Sequence, residues 1–385
     1  MNNSTIRILF ASVLTCVGFS LTAQDGIFNA ELLKTKFDSL CTAGTYPGAA
    51  MTIITRDGVE HNFSYGYSDI EKSIPLKTGD KMLVGSTGKT FVSAIIMQLI
   101  DEGKLCEEDR LSDWLGSDEW FRKLPNGEDI TIYQLLHHTS GLPRYVFKED
   151  LWKAFAETPG RAWIPEELIA FILDDQPVHP AGEGWSYSDT GYLLLGMVIE
   201  KITGNSYYEE LQSRILDPFS LFDTSPSDNQ LLEGLIPGYT GDHIPPFNLP
   251  SKVAVDGMHA INPQFEWTGG GLLSNTCDLA SWIKYLYEGR MFSKEQLEKL
   301  VNPVDFRTGK PVNANGYGMG VFIYHTPFGE IWGHGGFFFG YETQLLYLPD
   351  HGISIAVQVN ADSTSERYKL NILQLGFEIA KLITD

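Results

Sequence analysis

Ser86-Thr87-Gly88-Lys89 sets a hydroxyl and an amine three residues apart, directly after the apolar Met82-Leu83-Val84 run and Gly85. The stretch opens an apolar helical pattern of Phe91, Val92, Ile95, Ile96, Leu99 and Ile100. On a helix, positions i and i+3 share a face, so Ser86 Oγ can meet Lys89 Nζ. Placed on the first helical turn, Ser86 would sit where unpaired N–H groups and the helix dipole favour developing negative charge. A serine becomes a useful nucleophile when a neighbouring base takes its proton, and a lysine with a lowered pKa is such a base. The chemistry of this pair is acyl transfer through a serine ester.

Two look-alikes need separating from it. A second Ser-x-x-Lys, Ser281-Trp282-Ile283-Lys284, lies inside a helical segment predicted from about Asp278 to Tyr287. There a serine hydroxyl bonds back to its own helix, and the copy reads as a decoy. Gly85-Ser86-Thr87-Gly88-Lys89-Thr90 imitates a phosphate-binding loop, but the position where that loop needs its first glycine is Leu83. His-Glu-x-x-His and Gly-x-Ser-x-Gly are both absent, which removes the common metalloprotease and nucleophile-elbow readings.

Two further stretches carry candidate chemistry. Trp185-Ser186-Tyr187-Ser188-Asp189 precedes the strongest apolar pattern of the middle region. A tyrosine there can act as general base if an ammonium lowers its pKa, although one of 17 tyrosines, taken alone, is first read as a packing residue. Gly333-His334-Gly335-Gly336 closes a predicted strand. Its glycines let main chain approach a ligand, and the N–H of Phe337 is placed to help hold an oxyanion. A lone strand histidine is usually structural; the flanking glycines narrow that margin.

The chain of 385 residues is 43% hydrophobic and 20% charged, with ample length for a core. A formal charge of −21 argues against nucleic acid or an anionic membrane surface as partner. Arg7, an apolar run from Ile8 to Leu21 and then Thr22-Ala23-Gln24 read as an export signal over residues 1–23, cleaved after Ala23. The expected location is periplasmic or secreted, with no membrane span after signal removal. Cys16 as a lipid anchor is disfavoured by Leu14-Thr15. Cys41, Cys106 and Cys277 form no disulfide framework and no zinc spacing. They are expected as small buried hydrophobes, with no metal and no cofactor.

The elements that must position these groups fall at both ends. Residues 27–42 read as an amphipathic helix, and Ala50 to Gly66 as a hairpin turning at Asp57-Gly58. Strand patterns return at Gly320–His325, Glu330–Trp332, Tyr341–Leu348 and Ile353–Val359, before a last helix from about Arg367 to Ile383. Between them the chain is helical and loop-rich, with its clearest helix from Thr190 to Gly204. The fold expected is α/β plus all-α, an antiparallel sheet built from both chain ends and flanked by terminal helices. Its α/β lobe would take residues 27–85 and 290–385, and a helical second lobe residues 86–289, all within one unit of residues 24–385.

Taken together, Ser86-x-x-Lys89, Tyr187-x-Asp189 and His334-x-Gly336 resemble the serine β-lactamase and penicillin-binding-protein superfamily. The resemblance is to its class C-like branch, with D-alanyl-D-alanine carboxypeptidases, D-aminopeptidases and esterases. Pro47-Gly48-Ala49-Ala50, Leu136 to Pro143, Thr268-Gly269-Gly270-Gly271-Leu272 and Gly340 to Asn360 extend it over residues 30–380. The resemblance implies Ser86 as the acylated nucleophile, with Lys89 and Tyr187 sharing the proton traffic. His334 would stand where the family has lysine, and the N–H groups of Ser86 and Phe337 would form the oxyanion hole. It implies structural roles for His137 and His138.

Asp189 departs from the family asparagine. A carboxylate can only accept, and near Lys89 it favours the charged amine, which shifts the expected base to Tyr187. Histidine at 334 titrates near neutrality, so recognition of a substrate carboxylate would be weaker or pH-dependent. Phe337, Phe338, Phe339, Trp185, Tyr145 and Trp267 are candidates to line an apolar acyl pocket. The expected function is hydrolysis of carboxylic esters or D-amino-acid peptides through acyl-Ser86, with a small-molecule ester, an amide or a cell-wall peptide as substrate. The alternatives are a β-lactamase and a penicillin-binding sensor with little turnover.

Overall fold

Strands from the two ends of the chain join at one seam into a single antiparallel sheet. The computed structural model describes residues 29–241 and 249–384; the signal-like segment, with Cys16 and Ala23, lies outside the described residues. Helix α1 (Ala30–Gly44) leads into β1 (Gly48–Ile54), β2 (Glu60–Asp69) and the short β3 (Ile74–Pro75). The later part adds β4 (Gly316–Tyr317), β5 (Phe322–Thr326), β6 (Gly329–Phe338), β7 (Tyr341–Leu348) and β8 (Ile353–Val359). The eight strands lie in the order β3-β2-β1-β8-β7-β6-β5-β4. The seam between the chain ends is β1 against β8, with Ala49 opposite Val359 and Ile54 opposite Ser354.

Side chains on a strand alternate between faces, and both faces here are covered. Met51, Ile53, Ile355 and Val357 pack with Leu33 and Phe37 of α1 and with Leu375 and Ile379 of the last helix. Ala50, Ile54 and Ala356 face the larger core on the other side. That core is built on three helices: α2 (Lys89–Asp101), α3 (Asp189–Thr203) and α4 (Thr276–Tyr287). Trp282 of α4 stacks on Phe91 of α2, centroids 3.9 Å apart, and its Nε1 donates to Thr90 Oγ1 at 2.8 Å. That pair pins the helix bearing Lys89.

Several expectations shift. β6 continues through Gly333-His334-Gly335-Gly336 to Phe338, because β7 supplies a register partner for each glycine up to the turn pair Phe338 and Tyr341. The last helix, α5 (Ile372–Thr384), starts five residues later than the apolar pattern suggested. Helix α4, assigned to the helical lobe by a boundary near 289, packs on β1, β7 and β8. The middle region also holds short pairings of Met82–Leu83, Leu272–Ser274 and Ser225–Pro226. Cys41 is buried, but Cys277 is partly accessible and Cys106 exposed, so burial of all three fails. Cys106 follows Leu105 in a surface turn, where its N–H is held by Asp109.

Candidate active site

Ser86 sits on a 3-10 turn, Gly85–Gly88, rather than on the first α-helical turn, and α2 follows at once. The i to i+3 relation survives: Lys89 Nζ donates to Ser86 Oγ at 3.2 Å. Gly85 has φ +54°, and a side chain there would come within 2.4 Å of Phe337 O and 2.6 Å of Phe337 N. The turn is thus pressed against the end of β6 by the absence of a side chain. A Cβ on Gly336 would lie 1.9 Å from Val84 O and 3.2 Å from Ser86 N. The main chain at Ser86 and at Phe337 therefore meets where a developing oxyanion would need donors.

Lys89 is fully buried, and its ammonium has three acceptors for three protons: Ser86 Oγ, Asp189 Oδ1 at 2.7 Å and Gly269 O at 2.6 Å. Burial alone would lower its pKa, but Asp189, Tyr187 and Glu266 push it above the ordinary value. The resting lysine donates to the serine; it is not poised to accept from it. Asp189 opens α3 and is shared: its Oδ2 accepts from Arg144 Nε at 2.9 Å and Nη2 at 2.7 Å. Burial opposes ionisation of Asp189, yet the two cations hold its carboxyl below the usual range.

Tyr187 lies beside this pair, its ring 5.0 Å from Lys89 Nζ and 4.1 Å from the His138 ring. Its hydroxyl is buried and lies next to Ser86 and Lys89, which both act to lower its pKa, although neither contact has the geometry of a full hydrogen bond. Burial raises the phenol and Asp189 adds to it, outweighing the pull of Lys89. The expectation of a phenol lowered by the neighbouring ammonium is corrected accordingly. His138 accepts from Ser188 N at 3.2 Å, and so orders the main chain next to Tyr187. His137 spans Tyr133 O and Asn302 O, away from the serine.

His334 also differs from expectation. It is 1% exposed, with Nε2 on Tyr317 Oη at 2.9 Å and Nδ1 on Gly335 O at 2.6 Å. Burial, with Lys89 adding, lowers its pKa to about 3. A buried imidazole with both nitrogens engaged favours the neutral form, which argues against near-neutral titration facing a substrate carboxylate.

Ser86 opens on a cavity of about 440 Å³ walled by Phe147, Trp152, Phe265, Phe337, Phe338 and Phe339. Trp152 meets Phe265 and Phe339 edge-on at 5.9 Å. Three of the six predicted pocket aromatics are there. Tyr145 is instead buried and donates to Phe265 O, Trp185 packs on Phe306, and Trp267 packs on Tyr207. Arg144, Asp189 and Glu266 bring charge to the same cavity. Sequence reading missed Arg144 and Glu266, although each adjoins a stretch already singled out, Leu136 to Pro143 and Thr268 to Leu272. Among the described residues no cluster of His, Cys, Asp and Glu is placed to hold a metal, and no helix is long and apolar enough to cross a membrane.

Comparison with known proteins agrees with this geometry. A family model described as Beta-lactamase matches residues 33–376. Penicillin-binding protein 4* of Bacillus subtilis (strain 168) is 27% identical over 354 residues, covering 90% of this chain and 75% of that protein. Protein flp of Staphylococcus aureus (strain N315) is 28% identical over 324 residues, 83% of this chain but 61% of its own length. Among solved structures, a D-stereospecific amidohydrolase from Streptomyces sp. superposes with a TM-score of 0.76 at 26% identity, covering 91% of this chain and 98% of that one.

Proposed function

Since the chain belongs to the Beta-lactamase family and is a serine hydrolase, we propose that it cleaves esters or amides of bulky apolar acyl groups, D-amino-acid peptides included. The observation that carries this reading is the aromatic cavity of about 440 Å³ opening directly on Ser86. Ser86 Oγ attacks the substrate carbonyl, forming the acyl–oxygen bond, while the oxyanion draws on the main-chain N–H groups of Ser86 and Phe337. The Ser86 proton passes to Tyr187 Oη in its ionised form and then to the departing alcohol or amine. Water repeats the sequence on the ester and returns the proton to Ser86. The resting ammonium and phenol sit one proton above this reactive form, so kcat/KM rises with pH.

The β-lactamase reading is less supported. Both Asp189 oxygens are committed to Lys89 and Arg144, and Asp189 offers no donor to an acylamino carbonyl. We further propose export to the periplasm or medium, on the Arg7 and Ile8 to Leu21 pattern; N-terminal sequencing of protein from a fractionated host tests it.

The test of activity is parallel incubation with p-nitrophenyl butyrate, p-nitrophenyl phenylpropionate, a chromogenic cephalosporin and diacetyl-Lys-D-Ala-D-Ala. Sustained turnover of the phenylpropionate, faster than the butyrate, is expected. One equivalent of product with no steady state would replace the hydrolase reading by a sensor that acylates once.

A further inference from the structure

Four charged side chains reach the cavity beside Ser86: Arg144, Glu149, Asp189 and Glu266. Three are spoken for. Asp189 and Arg144 bind each other, and Glu149, 76% exposed, meets Lys153 at 3.1 Å. Glu266 makes no hydrogen bond or ion pair among the described residues. A carboxylate turned into an aromatic cavity without a donor is costly, and the cost falls when a ligand brings one.

The surrounding main chain keeps that carboxylate where it is. A Cβ on Gly270 would lie 2.8 Å from Glu266 Oε2, so any side chain there would crowd the carboxylate. The position of a Cβ on Gly269 is 3.9 Å from both Glu266 Oε2 and Lys89 Nζ, so the carboxylate lies on the same side of the site as the nucleophile's lysine without pairing with it. Trp267, the next residue, has φ 38° and ψ −114°, a conformation that a bulky side chain adopts only under constraint. Its carbonyl accepts from Gly271 N at 2.7 Å, locking the turn that aims Glu266 inward.

The geometry points to Glu266 as the anchor for a protonated amine on the acyl group of the substrate, making the preferred substrates aminoacyl amides or esters with a free amino group and a bulky apolar side chain. The inference rests on the acyl-Ser86 reading and narrows it. An ammonium beside the attacked carbonyl would form a charge-assisted bond of about 2.8 Å to the carboxylate. The aromatic wall takes the side chain, and its ring faces add attraction for a cation. Burial, with Asp189 adding and Lys89 and Arg144 opposing, raises the Glu266 pKa to about 7, so a bound ammonium would favour its ionised form.

The test compares p-nitroanilides of D- and L-phenylalanine with that of 3-phenylpropionic acid, which lacks only the amine, on wild type, Glu266→Gln and Glu266→Asp. Wild type is expected to favour one phenylalanine enantiomer over the phenylpropionyl compound at least tenfold in kcat/KM. Glu266→Gln should cut that ratio at least tenfold, and Glu266→Asp should retain part of it. Equal handling of the amine and des-amino compounds by wild type would overturn the anchor, even if the variants fail to fold. So would a variant that loses both substrates by the same factor. Turnover of p-nitrophenyl phenylpropionate separates the two failures: with it, only the anchor falls; without it, the acyl-Ser86 reading falls as well.

Discussion

The chain carries two Ser-x-x-Lys copies in surroundings that match closely, and the first of them opens on an aromatic cavity. Lys89 and Lys284 are both buried, and each meets a carboxylate at 2.7 Å. Each also donates to a main-chain carbonyl, Gly269 O at 2.6 Å and Gly352 O at 2.8 Å. The difference lies in what comes from elsewhere. The carboxylate for Lys284 is Glu288, one turn along the same helix and 25% exposed. For Lys89 it is Asp189, a hundred residues away, 6% exposed and already holding Arg144. Ser281, in mid-helix, is not a partner of its lysine, whereas Ser86 is. Spacing permits a nucleophile–amine contact; a glycine turn, a distant acid and a cavity turn it into a site.

The comparison breaks first at the serines. Ser86→Ala is expected to lower kcat by about 10⁴-fold or more, as loss of an acylated nucleophile does. Ser281→Ala should stay within about twofold, as expected for a side chain remote from the reacting atoms. Comparable losses in the two variants, measured as kcat/KM on p-nitrophenyl phenylpropionate, would show that both copies serve catalysis. At the lysines the two effects separate. Lys89→Met strands a buried carboxylate and should cost about 3 kcal/mol of stability, the lower end for a broken buried pair because Arg144 remains. It should also lower kcat/KM by about 10³-fold, since Tyr187 loses the ammonium that favours its ionised form. Lys284→Met should cost about 1 kcal/mol, its partner Glu288 being a quarter exposed and still paired with Arg290, and leave kcat/KM near wild type. Thermal unfolding and kinetics on the same preparations decide it.

Sequence carried the Ser86–Lys89 contact and the two-ended sheet, because those rest on local spacing and on alternation. It failed where distance in the chain decides. Asp189 reads as a departure from the family asparagine that favours a charged Lys89, and nothing local says that Arg144 will meet it. Gly333 to Gly336 read as a strand end, since glycine weakens strands; pairing with β7 overrides that propensity. His334 looked titratable because its partner, Tyr317, comes from β4, two strands away. Glu266 carries no signature at all, as its role depends on an empty volume that no residue pattern encodes.

A smaller effect probes the distant acid. Asp189 raises the pKa of both Tyr187 and Lys89, so Asp189→Asn should let the phenol–ammonium pair lose its proton at lower pH. The acid limb of kcat/KM then moves down by about one pH unit or more. An unmoved limb would mean that Asp189 orients Lys89 without setting its charge. The same carboxyl is held below its usual range when folded. The stability it contributes is therefore present above the unfolded value of about 3.9 and lost as pH falls below it. Urea unfolding between pH 2 and pH 5 should lose part of its pH dependence in the variant.

The smallest expected effect concerns His334. Its folded pKa of about 3 lies below the unfolded value of about 6.5. Its contribution to stability is therefore full above about pH 6.5 and declines as pH falls toward 3. Between pH 7 and 9 it neither gains nor loses a proton, and His334→Gln should leave the shape of the kcat/KM profile unchanged there and down to about pH 5. Glu266, at about 7, is the partly exposed cavity carboxyl of this site placed to titrate in that window. An inflection near pH 7 that survives His334→Gln and disappears in Glu266→Gln belongs to the carboxylate. One that vanishes with the imidazole instead would mean that His334 charges in the working protein, and that its bond to Tyr317 opens when substrate binds.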